Sequence, residues 1–378
     1  MINKIVLKII LYIYNNLFLN MKKYNRKLFF LLIILFLIFI SFFKSNKKIK
    51  IGVIGVRHEV NIGNNLIKYA VFLILSELGF IPYIIGTHYK KFNITFLNKT
   101  TNLVIIKNSF KEIKKEDYDI LMVNSDQTWR KFDKFFYDYA FLRFAENWTI
   151  PKFIYGASLG YDYWPLNSKD ERIAKLLLKN FTGISIREKD SIKLIKKHLG
   201  IEPIFVIDPT LLIEKKKYLN IIKNYKSNKI YKGNFIFSYK ITREKNMENF
   251  IINCGKLLNY EIYNYPLNKY STVEEFLYQT LHCKAVITNS YHGVLFSIIL
   301  NKPFIAFCFK NSAKARLISL GNLLGIRNRI FEYYEKPDVN LLTTPLNINL
   351  TIINSLKIQS INFIKKNLEI IFKNFHFN

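Results

Sequence analysis

Acidic side chains are scarce in this sequence: 27 Asp and Glu stand against 57 Lys and Arg, a formal charge of +30 over 378 residues. Such a balance by itself points to nucleic acid, an anionic membrane face or an acidic substrate. The lysines, however, are scattered among Asn and Ile along the whole chain, with no recognition helix, zinc-ligand spacing or RNP-like aromatic motif, so no nucleic acid is expected as a partner. Cysteine is nearly missing. Cys254, Cys283 and Cys308 are odd in number and far apart, which excludes a disulfide framework or a cysteine metal cluster and leaves them as small buried hydrophobes. Also absent are a G-x-G-x-x-G dinucleotide fingerprint, a Ser-His-Asp order, a paired-carboxylate arrangement and an internal repeat of fixed period.

What is present is apolar and periodic. Half of the residues are hydrophobic, enough for about two domains of ordinary size. Leu28 to Phe43 carries no charge and is bracketed by Lys22, Lys23, Arg26 and Lys27 before it and by Lys44, Lys47, Lys48 and Lys50 after it. A helix there would span about 24 Å of the ~30 Å hydrocarbon layer, with the flanking lysines able to snorkel. An uncleaved membrane anchor is expected. A signal peptide starting at Met21 is the rival, but Ser41 to Lys44 offers no small-x-small cleavage site. The flanking charges do not orient the segment. Ile5 to Leu19, broken by Lys8 and an Asn pair, reads as an interfacial helix or an unstructured leader.

From Lys50 onward, short β-branched runs alternate with helical stripes, the pattern of an α/β chain with parallel sheets. Residues 1–49 form the leader and anchor, 50–213 an N-terminal domain, 214–340 a C-terminal domain and 341–378 a helical tail, with a lysine-rich irregular linker after Leu212. Strands are expected at Lys50 to Val56, Phe80 to Ile85, Leu103 to Lys107, Asp119 to Val123, Gly183 to Ile186 and Ile204 to Ile207 in the first domain. In the second they fall at Asn234 to Ser238, Glu261 to Tyr265, Ala285 to Thr288 and Phe304 to Phe307.

Polar residues at the carboxyl ends of such strands face the ligand crevice, and the helix that follows points its free N–H groups there. The sharpest unit is AVITNSYHGVLFSIILNKPFIAF, Ala285 to Phe307: a strand, the turn Asn289-Ser290-Tyr291-His292-Gly293, an apolar helix expected from Val294, and a second strand. His292 and Ser290 are placed in its loop, with Gly293 leaving the backbone open to a ligand. A lone histidine there could equally be a cap or a satisfied core imidazole. Asn61, Gly63 and Asn64 sit at the start of a helix, a geometry that holds an anion or is merely a strand-to-helix turn. Ser125, Asp126 and Gln127 follow another buried strand. Arg187 ends a further one, placed to fork a carboxylate or phosphate, or else to pair on the surface with Glu202. Lys310, Lys314 and Arg316 make a basic cluster a short loop beyond His292.

In chain order, VNIGNN near Asn61, VNSDQTW at Asn124 to Trp129, YGASLG at Tyr155 to Gly160, SIREKDS at Ser185 to Ser191, IDPTLLI at Ile207 to Ile213 and TNSYHG at Thr288 to Gly293 resemble the polysaccharide pyruvyl transferase family. The resemblance implies two Rossmann-like domains facing across a cleft, as in B-type glycosyltransferases. It also implies transfer of the enolpyruvyl unit of phosphoenolpyruvate to a surface or capsular glycan, free or lipid-linked, as a pyruvate ketal. No metal or other cofactor is implied. His292 matches the catalytic histidine, Arg187 an arginine that binds the donor, and one of Lys310, Lys314 and Arg316 a second donor-binding cation. The chain departs from the pattern at Asn64, where an Asp is usual, and at Asn124, where a Gly is usual. A nucleotide-sugar glycosyltransferase on the same scaffold, or a degenerate glycan-binding relative, stays open as an alternative. Phosphoenolpyruvate is cytoplasmic, so the catalytic part is expected on that side of the membrane.

Overall fold

The computed structural model describes residues 48–55, 61–87, 95–101, 104–131, 133–227, 234–267, 271–309 and 314–374. Leu28 to Phe43, Ile5 to Leu19 and Lys310 lie outside them. Among the described residues no helix is long and apolar enough to cross a membrane.

From Lys50 onward strands and helices alternate. In order come β1 (Lys50–Ile54), α1 (Ile62–Glu77), β2 (Ile81–Thr87), α2 (Thr95–Thr101), β3 (Val104–Lys107), β4 (Ile120–Val123), α3 (Phe136–Phe141), β5 (Lys152–Ala157), α4 (Ser168–Leu178), β6 (Gly183–Ile186), α5 (Ser191–Leu199) and β7 (Ile204–Phe205). These strands form one sheet in the order β3-β2-β1-β4-β5-β6-β7, and every pairing is parallel. β4 is buried at all four positions, as a central strand covered on both faces must be.

The second set follows as α6 (Lys215–Ile222), β8 (Phe235–Tyr239), α7 (Lys245–Leu258), β9 (Glu261–Asn264), α8 (Val273–His282), β10 (Ala285–Thr288), α9 (Tyr291–Ile299), β11 (Phe304–Cys308), α10 (Lys314–Leu324), β12 (Ile330–Glu332) and α11 (Leu350–Asn374). Its strands run β12-β11-β10-β8-β9, again all parallel. Each sheet therefore reverses its strand order once, between β1 and β4 in the first and between β8 and β10 in the second. Such switch points open a crevice at the strands' carboxyl ends.

Residues from Ile49 to the C-terminus pack as one compact unit. A single apolar cluster includes Ile51 and Tyr155 of the first sheet, Phe237 and Phe304 of the second, and Phe363 of α11. α11 returns to the first sheet: Ser360 Oγ accepts from Ile207 N at 3.1 Å, and Thr182 Oγ1 donates to Asn367 Oδ1 at 2.9 Å. The lysine-rich stretch after Leu212 is not irregular throughout. It forms α6, because Tyr218 and Ile222 fall one turn apart and bury together, with Tyr218 packed edge-on to Phe296 of α9 at 4.9 Å.

Candidate active site

Two helix starts, one from each sheet, meet at the switch points. Ser290 caps α9, its Oγ accepting from Gly293 N at 3.3 Å, so the helix begins at Tyr291 rather than at Val294. His292 consequently lies in the first helical turn and not in the preceding loop. Gly293 serves packing: a Cβ there would stand 2.3 Å from Thr288 Oγ1 of β10, so its missing side chain admits the strand rather than a ligand. Asn61 caps α1 in the same manner, accepting from Asn64 N at 3.2 Å. One residue into that helix, Gly63 meets the His292 ring so closely that a Cβ would lie 2.0 Å from Nδ1. The imidazole thus bridges the two halves of the molecule.

The loop after β4 supplies the next layer. Asn124 turns back on its own chain, accepting from Ser125 N at 2.8 Å, and Ser125 Oγ donates to Gly156 O at 2.8 Å. Asp126 adopts φ of +110°, a conformation that side-chain-bearing residues rarely take and that persists only where the surroundings hold it. Its carboxylate accepts from Arg187 Nη2 at 3.0 Å and from Asn64 Nδ2 at 3.3 Å. Asn64, where the resemblance expects Asp, therefore donates to a carboxylate that an aspartate would repel. Gln127 points elsewhere, to Arg130 at 3.0 Å and against Gly160.

Arg187 is the hub. Its side chain is wholly buried, bonded to Asp126 and Asp208 and 3.5 Å from Glu188 Oε1, with its guanidinium 4.7 Å from the centre of the Tyr291 ring. Glu202 instead pairs with Lys196 at 2.8 Å, which removes the surface-pair reading of Arg187. Arg316, on the first turn of α10, lies 5.2 Å from the same ring, and among the described residues its nearest acidic partner is Asp126 at 3.8 Å. Its Nε meets no hydrogen-bond partner among the described residues. Lys314 is not part of this group, because its ammonium pairs with Glu332 at 2.8 Å.

Asp208, Glu188 and Tyr291 belong to the cluster and were not picked out by sequence reasoning. Asp208 Oδ1 accepts from Thr210 N and Thr210 Oγ1 at 3.0 and 2.7 Å, while Oδ2 takes Arg187 and lies 3.9 Å from His292 Nε2. The signal was available: IDPT ends a strand with an acid just as SIRE ends one with a base.

Burial decides the electrostatics here. It pushes the His292 imidazole down to about 4, against the pull of Asp208 and Asp126, with Arg187 and Arg316 adding to the effect. The ring is then neutral at pH 7, and its Nε2 meets no hydrogen-bond partner among the described residues. Burial lowers Arg316 to about 10, helped by its neighbour Arg187. Glu188 is pushed up by burial, a shift that Arg187 and the Ser158 hydroxyl oppose. Arg187 moves the other way: burial works against its charge, but Asp208, with Tyr291, Asp126 and Glu188, outweighs that and raises it. Among the described residues no group of three or more His, Cys, Asp or Glu is placed to hold a metal ion.

Parallel sheets with paired switch points make an α/β fold, and at their joint a buried histidine stands with two guanidinium groups around the Tyr291 ring. The chain belongs to the polysaccharide pyruvyl transferase family, whose model matches residues 61–307, well over half of its length. Among solved structures it is similar to a Listeria monocytogenes protein assigned as a UDP-N-acetylglucosamine 2-epimerase (11% identity, TM-score 0.51, covering 86% of this chain and 97% of that one). It is also similar to the Methanocaldococcus jannaschii UDP-GlcNAc 2-epimerase in complex with UDP-GlcNAc and UDP (14% identity, TM-score 0.50, covering 84% and 99%). At such identities the likeness shows the fold alone, an α/β architecture of the B-type glycosyltransferase kind. No curated protein matches the sequence.

Proposed function

We propose that this protein is a ketal-forming pyruvyl transferase that moves the enolpyruvyl unit of phosphoenolpyruvate onto two hydroxyls of a glycan. The observation that carries the reading is the buried, neutral His292 imidazole set beside Arg187 and Arg316 at the joint of the two sheets. In the overall reaction two sugar O–H bonds break and two C–O bonds form at the enol carbon. One proton ends on the methylene carbon, which becomes methyl, and the other leaves with inorganic phosphate as the C–O bond to phosphorus-bearing oxygen breaks. His292, neutral at pH 7, acts first as the base that takes a hydroxyl proton, and Asp208 stabilises the imidazolium so formed. Arg316 meets the donor's phosphate or carboxylate, while Arg187 fixes the carboxylates that frame the site. The reaction needs no resident metal or other cofactor, and Leu28 to Phe43 holds the enzyme to the cytoplasmic face, where the donor is made.

A ligand panel tests this. The full-length chain should gain thermal stability from phosphoenolpyruvate and not from UDP-sugars, since a ligand stabilises only the state that binds it. With glycan present it should release phosphate and leave a pyruvate ketal detectable by mass spectrometry. Stabilisation by UDP-sugars alone would replace this reading with that of a nucleotide-sugar enzyme.

A further inference from the structure

The loop that leaves β5 carries a feature the reaction does not use. Tyr161 and Tyr163 stack with ring centroids 4.8 Å apart and planes 30° from parallel, and Tyr163 is 57% exposed. Exposed aromatic pairs can be incidental, but this one is held from several sides. The Arg130 guanidinium lies 4.8 Å from the centre of the Tyr161 ring and donates to Gln127 Oε1 at 3.0 Å. Gln127 in turn presses on Gly160, where a Cβ would stand 2.9 Å from its Oε1 and where φ is +73°. Ser158 closes the turn, its Oγ accepting from Gly160 N at 3.1 Å and its carbonyl from Trp129 N at 3.1 Å. The rings therefore sit on a fixed loop.

That loop is tied directly to the active site. Asp126, which accepts from Arg187, also bridges in parallel register to Ala157, and Tyr161 follows only four residues later. A chain spans at most about 3.5 Å per residue, so the Tyr161 backbone lies within about 14 Å of that bridge. A short oligosaccharide covers this distance. Aromatic faces take the apolar C–H face of a pyranose, and polar groups beside them take its hydroxyls.

We propose that the exposed ring of Tyr163, backed by Tyr161 with Arg130 and Gln127 holding that ring in place, forms an acceptor subsite that stacks a pyranose ring of the glycan one or more residues from the sugar that reacts. This rests on the pyruvyl transferase reading for the location of the reacting sugar, but not for the binding itself.

The test uses the full-length chain in two measurements. In saturation-transfer NMR with methyl glycosides of glucose, galactose and mannose, the parent should transfer magnetisation to the C–H protons of at least one glycoside. Tyr163→Ala should lose that transfer at an unchanged melting temperature, and Tyr163→Phe should keep it. In turnover, Tyr163→Ala should raise the acceptor KM about tenfold and leave the donor KM within about twofold, the pattern of lost acceptor binding. Absence of transfer in the parent, full transfer in Tyr163→Ala, or an unchanged acceptor KM would each overturn the subsite. If no glycan is pyruvylated, the reaction assignment fails, and the NMR result still decides whether a sugar binds here.

Discussion

Substituting Gly63 with alanine isolates the contact on which the site depends. By helix propensity alone Gly63→Ala should stabilise α1 by up to about 1 kcal/mol. The new methyl, however, would stand 2.0 Å from His292 Nδ1, 2.2 Å from Cγ and 2.6 Å from Cε1. Carbon atoms in contact sit about 3.5–4.0 Å apart, so the ring must withdraw by roughly 1.5 Å. Neither backbone gives way easily, because Asn61 caps one helix and Ser290 the other. Overpacking of this kind costs about 1–3 kcal/mol, and displacing a reacting group by about 1 Å costs roughly a hundredfold in rate. Gly63→Ala should therefore fold, melt lower than the parent and turn over about a hundred times more slowly, with turnover and melting measured on the same preparation. The decisive arm is a cycle with His292→Ala. Without the imidazole the methyl has room, so the stability cost of Gly63→Ala should vanish or change sign, a coupling of about 1–3 kcal/mol. Equal costs in both backgrounds would refute the contact.

His292→Gln should keep a similar volume and hydrogen-bonding capacity while lowering turnover at least about a hundredfold, and an active but destabilised variant would remove His292 from the chemistry. Its pH dependence has a definite sign: free imidazole takes a proton near 6.5 but His292 only near 4, so the unfolded chain binds more protons between those values. Stability from this group is full above pH 6.5 and falls by about 3 kcal/mol as pH drops toward 4, and denaturant titrations should show that slope in the parent and not in His292→Gln. Glu188, raised by burial, contributes with the opposite sign, and the comparison of parent with variant cancels it. Arg316→Met should raise the donor constant with melting near the parent, whereas Arg187→Met strands three buried carboxylates and should cost about 3–5 kcal/mol; the reverse pattern in thermal melts would exchange their roles. Removing the residues before Ser45 should release a folded protein from the membrane fraction, since β1 begins only at Lys50, and a truncated chain that pellets after a salt wash would contradict the anchor.

The strands were the legible part of this fold, for a physical reason. Central strands of parallel sheets are buried on both faces, so ILMV at β4 and AVIT at β10 stand out as unbroken apolar runs. Short elements with mixed composition did not announce themselves. α3, FYDYAF, is held by the Trp129, Phe136 and Phe141 cluster rather than by its own pattern, and α6 hides in lysines whose apolar partners are on α9 and α1. At the site, His292, Arg187 and Asp126 were legible because polar residues after apolar runs mark crevice edges. Which of Lys314 and Arg316 joins them was not, since that turns on the side chains' direction from α10: Lys314 reaches Glu332 and Arg316 reaches Tyr291. Asp208 was missed because IDPT also reads as an ordinary turn, and it is one as well, with Asp208 accepting from Thr210 N.

On the proposed reading, three carboxylates would frame a site for an anionic donor, and the charges around them allow it. Arg187 is shared by Asp126, Asp208 and Glu188, so its charge is committed to them, and burial already favours the protonated form of Glu188. Among the described residues no carboxylate lies closer to Arg316 than Asp126 at 3.8 Å, which leaves it better able than Arg187 to turn toward a phosphate. The first turns of α1 and α9 add their backbone dipoles at the same place. An anion entering there raises the proton affinity of His292 and offsets the burial that holds the ring neutral. On the proposed reaction the imidazole is thus neutral before the donor arrives and a stronger base once it is bound, when a sugar hydroxyl would give up its proton.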